Sequence, residues 1–231
     1  MVVPGDGYIR YDVDPHLRIK LGKMLHPVRG LLHGTAAVVS LVGAVLLASL
    51  ADVSGVGHRM ALLVFGLSLV ALFTVSSLYH SVPWRTAWKR RMQRLDHTMV
   101  QVLVAGTYTP IAVIVFDGWL QWTTLAVQWG LVAVGAVQKF VFHGTRAMSI
   151  ALATTQGWLA LLLLWPLAAN MQWQGIMLIL LGGVLYTVGM VFMVTNRPRL
   201  WPRVFSYHEL FHVLVVGAAA VHFAAIAAYV A

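Results

Sequence analysis

Near its C-terminal end the sequence reads "SYHELFHVLV" (206–215), with His208, Glu209 and His212 spelling His-Glu-x-x-His. Residues four apart share one face of a helix, so these two imidazoles can bind a common metal ion. The stretch "SSLYHS" (76–81) sets Ser76 and His80 at the same spacing, and "RLDHT" (94–98) holds Asp96 and His97. Three neutral imidazoles with one open position make a catalytic zinc arrangement. A carboxylate beside it holds the fourth-position water or orients a ligand. If the chain brings these groups together, the metal ligands are His80, His208 and His212, the catalytic candidates are Asp96 and Ser76, and the cofactor is zinc.

The His-Glu-x-x-His spelling also belongs to zinc peptidases, where the Glu is the general base. Three observations count against that use. An intramembrane peptidase needs a further acidic ligand on a later helix, and no acidic residue follows His212. Ser206 and Glu209 stand as N-cap and N3 of a capping box, after Pro202, which gives the carboxylate a structural task. It also suits the positive end of the helix dipole. Finally, Glu209 lies about 100° around a helix from His208, so it can face a neighbour instead of the metal.

The elements that must position these groups are membrane spans. Of 231 residues, 60% are hydrophobic and only 10% charged, and mean hydropathy is +0.80. A soluble domain is nearer half apolar and a quarter charged. A spanning helix needs about 20 mostly apolar residues. Seven segments qualify: 31–51, 59–81, 95–116, 120–142, 149–169, 174–195 and 207–229. The fold class is therefore all-α, a polytopic seven-transmembrane helix bundle forming one domain over 31–231. Residues 1–30 lack the apolar run and cleavage site of a secretory signal and read as a cytoplasmic leader. There is no cysteine, so a metal site must use nitrogen and oxygen donors.

With the N-terminus inside and the C-terminus outside, 15 of the 16 Lys and Arg fall on inner segments, and only Arg59 lies outside. The positive-inside rule asks for this asymmetry. It places the protein in the cell (inner) membrane as a multi-pass protein and accounts for the net charge of +9 without nucleic acid. Trp84, Trp88, Trp119, Trp122, Trp173 and Trp201 fall near span ends and read as an interfacial belt. Trp129, Trp158 and Trp165 read as deeper packing residues.

This topology puts His80 at the end of the second span, and Asp96, His208 and His212 at the starts of the third and seventh. Groups from three helices far apart in sequence thereby share one depth, at the cytoplasmic side. Ionisable groups inside spans are costly and mark function by default. His33, His97, His143 and His222 lack such a pairing and read as packing or proton-linked residues. In "AGTYTP" (105–110), Gly106 and the threonines permit close helix approach, Pro110 kinks the span, and Tyr108 reads chiefly as packing.

Together "SSLYHS", "RLDHT", "AGTYTP" and "HELFH" resemble the motifs of the bacterial hemolysin III family, related to the progestin and adiponectin receptors and to alkaline ceramidases. The resemblance runs over nearly the whole chain in motif order, span count and orientation. It implies zinc on His80, His208 and His212, with Ser76 and Asp96 beside it. The function expected is a zinc-dependent integral-membrane hydrolase of a lipid amide or ester, its partner a membrane lipid substrate. A second class is a receptor or sensor with structural zinc. A pore-forming, hemolysin-like protein is a third. It is disfavoured because a pore needs polar residues through the full bilayer depth, whereas these cluster at one side.

Overall fold

The computed structural model describes residues 24–50, 55–201 and 204–231. Most of the expected leader, with Arg10, Arg18, Lys20 and Lys23, lies outside the described residues, as does Arg203. The described chain is helical: α1 Pro27–Leu50, α2 Val56–Ser81, α3 Thr86–Pro110, α4 Gly118–Phe140, α5 Arg146–Trp158, α6 Leu164–Asn170, α7 Trp173–Thr195 and α8 Tyr207–Tyr229. A 3-10 stretch, Leu159–Leu163, joins α5 to α6, so these two form one span, and the described residues hold seven helices long and apolar enough to cross a membrane. Pro166 explains the break, because it cannot bond to Leu162 and its ring crowds that carbonyl. It sits in the first turn of α6, where its missing N–H costs nothing.

Two helices begin before their apolar runs. Pro27 opens α1 four residues ahead of position 31, so Arg29 is helical. α3 starts at Thr86, and most of the basic segment expected as a loop continues the helix beyond the apolar stretch. That segment is built from good helix formers, which need no lipid to stay helical. Only Val82–Arg85 remains as the turn between α2 and α3. At the other end of α3, Pro110 leads into a π-helical turn, Ile111–Val115. The kink expected at this proline takes that form.

The helices close into a ring in chain order, with α8 returning to pack on α1. α2 and α3 are the most enclosed spans. Phe65, Leu69, Leu72 and Phe73 from α2, with Leu103 and Ile111 from the third span, form the heart of the core. Gly106 is required there, since a Cβ would run into Ser68 of α2. The lipid side shows as exposed apolar residues, among them Val38, Val39 and Leu162. Trp165 is 86% exposed, so it faces outward and does not pack inside as its depth suggested. Trp158 is half-buried and donates its indole N–H to Thr187 at 3.1 Å. Trp129 donates to Thr109 at 3.2 Å, yet it is 37% exposed and so is not the deep packing residue expected.

Candidate metal centre

The site forms where the last turn of α2 meets the first turns of α1 and α8. α1 fixes the spacing. Gly30 and Gly34, four apart, face α2; a Cβ on Gly30 would collide with Ser81, and one on Gly34 would meet Ser77 Oγ at 3.1 Å. The Ser77 hydroxyl donates to the Gly30 carbonyl at 2.7 Å. Just ahead of α1, the N–H groups of Leu25 and His26 donate to the carbonyls of Ser81 and His80 at 3.3 and 3.1 Å. These carbonyls end a helix and would otherwise lack partners.

One residue back, Arg29 and His33 form a parallel row that faces α8. Arg29 Nε donates to Glu209 Oε1 at 2.7 Å in a buried ion pair. The other carboxylate oxygen of Glu209 accepts the Ser206 backbone N–H at 2.9 Å, closing the expected capping box. Glu209 therefore caps α8 and also anchors it to α1, and it does not face the imidazole cluster. The pairing joins the first turns of α1 and α8, so these helices run parallel, as an odd number of spans requires.

His80, His208 and His212 converge, each offering one ligand atom, all within 4.8 Å of one another. Ring centroids lie 5.4 Å apart for His80–His208 and 4.7 Å for His80–His212. The one-turn pair His208–His212 stacks at 5.0 Å with only 7° between ring planes. On the same face of α2, one turn deeper, Ser76 lies beside the Asp96 carboxylate of α3. Of the five expected site residues, His80, His208 and His212 are brought together, and Ser76 and Asp96 stand beside each other one turn along α2 from His80.

Do these residues suit a zinc ion? His212 is 2% exposed, its Nδ1 is engaged by His33 Nε2 at 2.8 Å, and its Nε2 has no hydrogen-bond partner. A buried nitrogen left without a partner is costly, and here it stands among two other imidazoles. Three nitrogen donors without a thiolate fit a borderline cation such as zinc. The donor set fits, and the fourth position is left to a non-protein ligand.

The residues of the chain from 24 to 223 match the family described as Haemolysin-III related. The chain belongs to that family. Hemolysin-3 of Bacillus cereus is 33% identical over 201 residues, covering 86% of this chain and 88% of that one. The hemolysin-3 homolog of Bacillus subtilis (strain 168) is 31% identical over 193 residues, 83% and 87% of the two chains. The human monocyte to macrophage differentiation factor is 25% identical over 217 residues, 88% and 84%. The match to the haemolysin III family begins at Met24, so it includes the whole of α1.

Two residues near the cluster escaped the motif reading. His33 was set aside as packing, yet it is the hydrogen-bond partner of His212. Arg29 was assigned to the leader. Their four-residue spacing was visible, but nothing in the sequence says which helix α1 lies against. His97 contacts Lys139 Nζ at 3.3 Å and His222 contacts the Ile179 carbonyl at 3.0 Å. His143 engages the Val141 carbonyl at 2.9 Å. None of these three is among the converging imidazoles. Tyr108 donates to the Gly157 carbonyl at 2.8 Å, joining α3 to α5.

Proposed function

We propose that this haemolysin III protein is a zinc-dependent hydrolase of a lipid amide or ester, with its centre near the cytoplasmic side of the inner membrane. The observation that carries the reading is the convergence of three imidazoles, with His212 Nε2 unpartnered, at the end of the bundle that holds the Ser76–Asp96 pair. His80, His208 and His212 would hold the ion. When bound, zinc polarises a carbonyl and lowers the pKa of a bound water to about 7.

The chain's own groups supply the rest. Asp96 takes the proton of the attacking water as general base and returns it to the leaving amine or alkoxide as the C–N or C–O bond breaks. Ser76, beside Asp96, would hold the carboxylate in place through a hydrogen bond, a supporting role that leaves the attack to water. Burial of the cluster keeps competing water away and strengthens each electrostatic contact. A lipid substrate is supported by position. An apolar groove of about 350 Å³, lined by Leu31, Leu32, Thr35, Ala36, Val39 and Val216, runs along α1 and α8. Val216 lies one turn beyond His212, so an acyl chain in this groove would start beside the cluster. The basic inner segments support the inside placement of the site.

Replacing Asp96 with Ala separates the chemistry from the metal. Loss of the base should lower lipid hydrolysis about 10²–10⁴-fold, while zinc content stays at the wild-type level. Lipid profiling of membranes and metal analysis of the purified protein read the two quantities. Unchanged product with metal retained would shift the reading to a sensor with structural zinc.

A further inference from the structure

We infer that His33 is a positioning residue for the metal centre: its imidazole fixes the His212 ring in the tautomer whose Nε2 lone pair faces the cluster. The inference rests on the zinc reading above and goes beyond it by giving a task to a histidine outside the ligand set.

His33 Nε2 and His212 Nδ1 are 2.8 Å apart, so one of the two nitrogens carries the shared proton. If His33 donates, the proton of His212 sits on Nε2, and that atom has no lone pair to offer. If His212 donates, Nε2 is free to ligate. A bound cation selects the second arrangement, and His33 supplies the acceptor that makes it possible. Both side chains are 2% exposed, so bulk water does not compete for the His212 N–H. The His33 ring is itself held, edge-on to Phe73 of α2 with centroids 5.1 Å apart. Its own proton then sits on Nδ1, which has no partner among the described residues. Either arrangement leaves one buried N–H unpaired, on His212 Nε2 in the first and on His33 Nδ1 in the second, so a cation at His212 Nε2 decides between them. Neighbouring contacts keep the two rings in register. Arg29, one turn before His33, holds Glu209, three residues before His212, and this fixes the slide of α1 against α8.

Two replacements of similar bulk separate hydrogen bonding from packing. His33→Gln keeps an acceptor; His33→Leu fills the space without one. Zinc affinity is measured by chelator competition on the purified full chain in detergent. The visible bands of the cobalt-loaded protein report ligand geometry, and circular dichroism shows that each variant is folded. His33→Leu should bind one zinc 10–100-fold more weakly and shift the cobalt bands, and His33→Gln should restore both. Should His33→Leu not fold, His33→Met takes its place. Wild-type affinity and bands in His33→Leu, or equal weakening in both variants, would overturn the assignment. His80→Ala, measured alongside, tells the two readings apart. If it loses zinc while His33→Leu keeps it unchanged, the His33 role alone fails; if the wild type takes up no zinc, the centre fails and His33 with it.

Discussion

At one end of the bundle four imidazoles crowd together, His33, His80, His208 and His212. Further along α3, three glutamines bridge α3, α4 and α5. Gln156 Nε2 donates to the backbone carbonyls of Gln101 and Gln128, both at 3.2 Å, and Gln128 Nε2 donates to the Gln156 carbonyl at 3.3 Å. Both groups put buried polar side chains where lipid surrounds the bundle. The glutamines reach across to backbone groups of neighbouring helices and stitch the spans together, while Gln101 Nε2, Gln128 Oε1 and Gln156 Oε1 have no partner among the described residues. The three converging histidines each offer one nitrogen to a common point, and His212 Nε2 has no hydrogen-bond partner there. The first arrangement is tied to the backbones of the helices it joins; the second gathers one nitrogen from each of three rings about a point that a cation can occupy.

The largest effect should come from breaking the second group. His212→Ala or His80→Ala should reduce bound zinc from one per chain to none, since a three-ligand site does not survive the loss of one imidazole. Gln128→Leu should leave zinc content unchanged. Metal analysis of the three purified variants decides. Zinc retained in both histidine variants removes the centre, and zinc lost in Gln128→Leu would merge the two regions into one unit.

Next comes the frame that holds the cluster. Arg29→Ala leaves Glu209 buried without its cation, which typically costs about 3–5 kcal/mol. Replacing the pair together, Arg29→Met with Glu209→Gln, removes the stranded charge and should recover most of the loss. Glutamine at position 209 still accepts the Ser206 N–H, so the cap survives. Reversible unfolding in detergent measures the three proteins. A double variant no better than Arg29→Ala would mean that α1 contributes to α8 by packing and not through this ion pair.

The fold was legible because spanning helices must be long and apolar, and that pattern can be read one residue at a time. The three-imidazole cluster was legible for a related reason: a Ser-xxx-His, an Asp and a His-xxx-His are rare in spans, and positive-inside counting put them at one depth. What could not be read were lateral relationships. Depth follows from position along a helix, but the neighbour across the bundle follows from packing. His33 and Arg29 therefore looked like isolated residues until α8 was placed beside α1. The helical start of α3 was missed for another reason. The apolar criterion ends where lipid ends, while "TAWKRRMQR" continues as helix on its own propensity. Trp165 was misplaced because depth in the membrane was taken for depth in the protein.

The smallest effect tests whether the glutamine layer is only a stitch. Gln156→Leu removes both donations from Nε2, together with an Oε1 that has no partner among the described residues. Hydrogen bonds between membrane helices average about 0.6 kcal/mol, with a maximum near 1.7. Losing the first and relieving the second should leave a net cost of about 1 kcal/mol. The Gln128 donation goes to the backbone at position 156 and survives the change, so the α4–α5 contact keeps one of its bonds. Zinc content and the cobalt spectrum should match the wild type. A cost above about 3 kcal/mol would exceed what two such bonds supply, and a shifted cobalt spectrum would tie this layer to the imidazoles. Either result would erase the distinction between a polar group that joins helices and one that waits for a metal.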